Sequence, residues 1–185
     1  MKSLTDLKLA LLEWRREGDP PLAFKLRGEG GIVATLVFPD PPDTLAKVET
    51  AEGSWTLKHL GVLNPVTTLR EEGRAANLAV FHSHAFRHGK LEFADRAVFD
   101  WADLHGDEPG GAFLDLEGRP MVRLHQAHRR ASNPGGPSDS CLVELGQAPQ
   151  ARWRHGILAA LGWYLLLLNQ PREHPEHAAE ASLML

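Results

Sequence analysis

The chain has a single cysteine, Cys141, among its 185 residues. An intramolecular disulfide is therefore impossible, and a four-cysteine zinc site is excluded. Net charge is also scarce: 20 Lys and Arg stand against 24 Asp and Glu, a formal balance of −4. Nothing in that balance favours nucleic acid, whose partners present a basic face. No apolar run approaches the roughly 20 residues that a membrane-spanning helix requires. The Leu9 to Leu12 run is too short for the core of a signal peptide, and no charged region followed by a long apolar stretch opens the chain. The expectation is a cytoplasmic protein without a transmembrane span. G-x-S-x-G, Walker and dinucleotide-binding fingerprints are missing too; Gly28-Glu29-Gly30-Gly31 is followed by no helical pattern and reads as a turn.

What is present is a long series of short apolar or alternating runs separated by turn signals, the pattern of many strands rather than of βαβ units. Leu7 to Glu13 opens the series as a strand or a short helix. Then come Leu22–Arg27, Ile32–Phe38, Thr44–Thr50, Ser54–Leu60, Val66–Arg70 and a run through Leu78, Val80 and Phe81 towards His82 and His84. His88-Gly89 reads as a turn into Lys90–Phe93, followed by Ala97–Trp101. Pro109-Gly110-Gly111 reads as another turn before Ala112–Leu116, and Pro120–His125 and Ser140–Leu145 complete about twelve strands. In Ser54–Leu60 the alternation places Trp55, Leu57 and His59 on one side, with Thr56 and Lys58 on the other. Residues 128–139 read as a long loop.

One segment breaks this pattern. Ile157 to Leu168 is apolar throughout apart from the Tyr164 hydroxyl, rich in the helix formers Leu and Ala, and bracketed by Pro149 and Pro171. A helix apolar all round belongs in a core or a membrane. Twelve residues rise only about 18 Å, too little to span. A sheet of twelve strands must curl or close. A barrel of that girth is too wide for strand side chains alone to fill. The helix is the available filler. The predicted fold is mainly β: a closed, roughly twelve-stranded antiparallel barrel enclosing a C-terminal hydrophobic helix at about 151–169. Residues 1–171 form its single domain, and 172–185 form a tail.

Three stretches, in this order, carry a likeness to a known family: Glu52-Gly53-Ser54-Trp55-Thr56-Leu57-Lys58, then Phe113-Leu114-Asp115-Leu116-Glu117-Gly118-Arg119-Pro120-Met121-Val122, then Leu158 to Leu168. A G-x-W-x-L strand, a later D-x-x-G hairpin and an ALGWYLLLL-like terminal helix resemble the tubby C-terminal-like superfamily, which includes the phospholipid scramblases and the LURP-one-related proteins. The resemblance spans roughly residues 20–170. It implies a twelve-stranded barrel around a hydrophobic helix, and a link to lipids that no phosphoinositide-type residue set in this chain supports.

Candidate chemistry is thin. The most suggestive cluster is His82-Ser83-His84, with His88 following; His82 and His84, at i and i+2 on a strand, share a face and can share a metal. With Asp95 they make the His-x-His-x10-Asp spacing of JAMM-type zinc isopeptidases. That pattern also wants a serine where Glu92 stands and an upstream glutamate, for which Glu49 or Glu52 would have to serve. Arg152, Arg154 and His155 precede the apolar run, where cations oppose the helix dipole and so need another reason such as a salt bridge or an anion. Arg123, Arg129 and Arg130, with His125 and His128, are the most basic stretch. The five tryptophans and Cys141 read as core. The leading expectation is a non-enzymatic barrel, without a cofactor, that binds a lipid or small anionic ligand through Arg123, Arg129, Arg130, Arg152 and Arg154. The alternatives are a JAMM-like hydrolase on His82, His84 and Asp95, and a scramblase-like peripheral membrane protein.

Overall fold

A computed structural model describes residues 11–18, 21–40, 44–61, 63–84, 88–104, 109–126, 140–146 and 152–169, the last segment with side chains from Arg154 onward. Twelve strands precede one helix. They are β1 (Leu12–Arg16), β2 (Leu22–Gly28), β3 (Gly31–Phe38), β4 (Ala46–Thr50), β5 (Gly53–Leu60) and β6 (Val66–Glu71), then β7 (Asn77–His84), β8 (His88–Phe93), β9 (Val98–Leu104), β10 (Gly110–Leu114), β11 (Pro120–Gln126) and β12 (Ser140–Leu145). The helix, α1, is Arg152–Leu168. Each strand pairs antiparallel with its neighbours in sequence, and β1 closes on β12, with Leu12 opposite Val143 and Trp14 opposite Cys141.

Inside and outside are assigned by alternation. Val48, Trp55, Leu57, Leu69, Phe81, Leu91, Phe93 and Trp101 are buried, while Lys47, Glu49, Arg70, His82, Lys90, Glu92 and Asp100 are exposed. A lipid-facing barrel carries its apolar band outside; this one carries charge there. The helix is buried on every side from His155 to Leu166. Among the described residues no helix is long and apolar enough to cross a membrane. Phe24 meets Trp163 edge-on at 5.5 Å, and Phe38 stacks on Tyr164 at 5.8 Å.

The helix does not run down the middle. It lies closest to β11, β10 and β3. Gly162 permits this approach: a Cβ there would stand 2.6 Å from Leu124 Cδ1 and 3.2 Å from the Trp101 ring.

Two turn readings are corrected. His88 and Gly89 belong to β8, paired with His84 and Ser83, and Gly110 and Gly111 belong to β10. In each case an inward-facing aromatic takes the place of a side chain. A Cβ on Gly89 would collide with the Phe81 ring, and one on Gly111 with the indole of Trp101. The first strand lies later than its sequence signal, at Leu12–Arg16, with Leu12 and Trp14 facing inward. The predicted loop at 128–139 and the tail lie outside the described residues.

Candidate functional site

The barrel has two unlike ends. At the end where α1 begins, the strand connections are 29–30, 51–52, 72–76, 94–97 and 115–119. At the other they are 17–21, 39–45, 61–65, 85–87, 105–109 and 127–139, mostly longer. Longer loops on a rigid scaffold are the usual carriers of binding.

The short-turn end is anchored. Arg154, on the first turn of α1, pairs with Asp95 of the 94–97 turn. Its guanidinium also lies 5.0 Å from the centre of the Phe93 ring. A cation at a helix N-terminus opposes the dipole; the Asp95 carboxylate and the aromatic face offset that. At the same end Asp115 closes the D-x-x-G hairpin. Its Oδ1 accepts from the backbone N–H of Glu117 and of Arg119, and Gly118 adopts a φ of 75°.

The long-loop end holds a cavity of about 450 Å³. It lies where the off-centre helix ends, between α1 and the mouth ends of β5 to β9. Leu165 and Leu168 of the helix, Phe81, Trp101 and Pro65 supply its apolar surface. Thr44, His59, Ser83, His84, His88 and Asn169 supply its polar surface. His84 and His88 are exposed on the rim, directly opposite one another across the β7–β8 pair.

Several hydrogen bonds hold the walls. Thr44 Oγ1 donates to the His59 carbonyl at 2.9 Å. The Tyr164 hydroxyl donates to the Thr44 carbonyl, tying the helix to the 39–45 loop. His59 Nδ1 lies 3.0 Å from Thr67 Oγ1. Trp101 Nε1 donates to Asp103 Oδ1 at 2.9 Å.

The residues singled out in the sequence do not gather here as a set. His82 is on the outer face opposite Lys90, and His84 is on the cavity rim. Asp95 is at the far end of the same hairpin, beside Leu78, whose carbonyl takes the Ala94 N–H. Six residues of strand separate Leu78 from His84, about 20 Å at ~3.3 Å each. The structure therefore does not bring the His82, His84 and Asp95 set together, and Asp95 is engaged by Arg154. Among the described residues no group of three ligating side chains is placed to hold a metal. Glu49 is exposed on the outer face of β4 and Glu52 in the following turn.

The arginines do not converge either. Arg123 is exposed on the outer wall, 4.0 Å from Glu144, while Arg154 sits at the anchored end. Arg129 and Arg130, and the side chain of Arg152, lie outside the described residues. Cys141 is fully buried, and burial pushes its thiol well above the ordinary range, with the His125 backbone acting weakly against that.

Sequence reasoning missed most of the cavity. Thr44 and Asn169 carry no motif, while Ser83, His84 and His88 belong to the histidine cluster read in the sequence. His59 carried a usable signal, since it continues the inward alternation of Trp55 and Leu57 to the strand's end.

Comparison with protein-family models, with curated proteins and with solved structures finds no match to the chain.

Proposed function

We propose that this chain is a tubby-like barrel that works as a non-enzymatic binding module and takes a small amphipathic ligand in its mouth cavity. The observation that carries this reading is the cavity of about 450 Å³. Protein interiors are close-packed, and elsewhere the barrel is filled by α1. An apolar floor with a few polar groups at the rim is the ordinary make-up of a small-molecule site. The fold agrees with the family resemblance of the G-x-W-x-L strand, the D-x-x-G hairpin and the terminal helix. A nucleophilic role for Cys141 finds no support, because its thiol is buried and held protonated. The scramblase-like alternative loses its main element, since the apolar helix that would enter a bilayer is enclosed by strands.

Ser83 faces into the cavity from β7. Ser83→Trp should plug it. Screening small aromatic and aliphatic amphiphiles by ligand-observed NMR should find binders to the parent protein, and the plugged variant should lose them with an unchanged melting temperature. Binders retained by the plugged variant would remove the cavity as the site.

A further inference from the structure

We propose that the ligand of the mouth cavity is a small organic cation, an amine carrying an apolar group. This rests on reading the cavity as a ligand site, and the helix end and aromatic rings that line it point to the charge. Several of the cavity's donors are spent on the protein, while the Ser83 hydroxyl, the Asn169 amide and the rim imidazoles can serve in either sense. The Thr44 hydroxyl donates to the His59 carbonyl, the Trp101 indole to Asp103, and the Tyr164 hydroxyl to the Thr44 carbonyl. The Ser83 backbone N–H donates to the Pro65 carbonyl at 3.2 Å.

Acceptors are what the floor offers. The cavity sits on the C-terminus of α1, where the last four carbonyls have no partner within the helix. Among the described residues, Asn169 donates its backbone N–H to the Leu165 carbonyl there. The last turn contains no basic residue to neutralise the negative end of the dipole. Among the described lining residues there is no Lys or Arg to favour an anion. Phe81 and Trp101 line the walls, and aromatic rings attract cations through their negative faces. Imidazole, in its neutral form, offers one acceptor nitrogen beside its one N–H donor. An ammonium group donates to the helix-end carbonyls and supplies the positive charge that complements them, and its apolar group covers Leu165 and Leu168.

The test uses three probes of one shape: 2-phenylethylammonium, the neutral 2-phenylethanol and the anionic 3-phenylpropionate. Each is titrated calorimetrically into the full chain at pH 8.5. A helix terminus and an aromatic wall each favour a cation by about two- to five-fold. The amine should therefore bind about four- to twenty-five-fold more tightly than the alcohol, and the acid more weakly than both. Asn169 is exposed at the end of the helix. Asn169→Lys should abolish the preference for the amine and bring the acid level with it or ahead, with the melting temperature unchanged. Equal or tighter binding of the alcohol or the acid to the parent protein would overturn the cation assignment while leaving the cavity a ligand site. Saturation by none of the three would overturn both.

Discussion

Leu161 and Gly162 are neighbours on α1 with opposite lessons. Leu161 is 1% exposed. Leu161→Ala should cost about 2–5 kcal/mol by leaving a void in a close-packed interior, and Leu161→Asp should cost more, since a carboxylate there has no apolar-core partner. Urea midpoints for the two variants check the order. On an exposed helix, replacing Gly by Ala gains about 1 kcal/mol. At Gly162 the sign should reverse, to a loss of about 1–3 kcal/mol, because the added methyl presses on Leu124 and the Trp101 ring. Cys141 supplies a prediction in pH. Its thiol is raised in the folded state by burial. Above the ordinary thiol value, about 8.5, the unfolded chain releases this proton and the folded chain keeps it. Stability should therefore fall as pH rises through and beyond that value. Correspondingly, a disulfide reagent should modify Cys141 only after denaturant is added; rapid labelling of the native protein would contradict its burial.

At the scale of elements, α1 is held at both ends by contacts of different kinds. Tyr164 ties its last turns to the 39–45 loop, and Arg154 ties its first turn to Asp95 and Phe93. Asp95 is more than half exposed, so screening limits the pair. A double-mutant cycle with Arg154→Met and Asp95→Asn should give a coupling of about 0.5–1 kcal/mol; zero coupling would mean that the carboxylate does not hold the arginine. Much at this scale was legible in advance. Alternation located β2 to β7 to within a residue or two, and the unbroken apolar run located α1. The misread turns at His88-Gly89 and Pro109-Gly111 share one physical cause. Glycine signals a turn where the backbone needs freedom, but in β8 and β10 it makes room for an aromatic ring arriving from the preceding strand. A linear sequence does not reveal which ring will arrive. The cavity was illegible for a related reason. It is space that the helix leaves by lying nearer β11, β10 and β3, and its six polar lining residues come from five separate elements or loops.

For the whole molecule, the strand order matters more than any one contact. Closure pairs Leu12 with Val143, and neither can be satisfied until nearly every strand exists. Such non-local pairing folds slowly. A chain lacking α1 should fail to form the native barrel, which the loss of near-ultraviolet circular dichroism would report. A synthetic peptide covering 150–170, added during refolding, should restore part of that signal. In the cell the same order has a consequence for biosynthesis. The ribosome delivers all twelve strands before the helix that fills them. Until α1 emerges, the inward faces of Trp14, Phe24, Leu57 and Phe81 have nothing to close upon. The nascent chain thus passes through a stage of sticky, unfinished sheet. Early translational pauses should do little harm, while a pause just upstream of Arg152 should raise its dependence on chaperones.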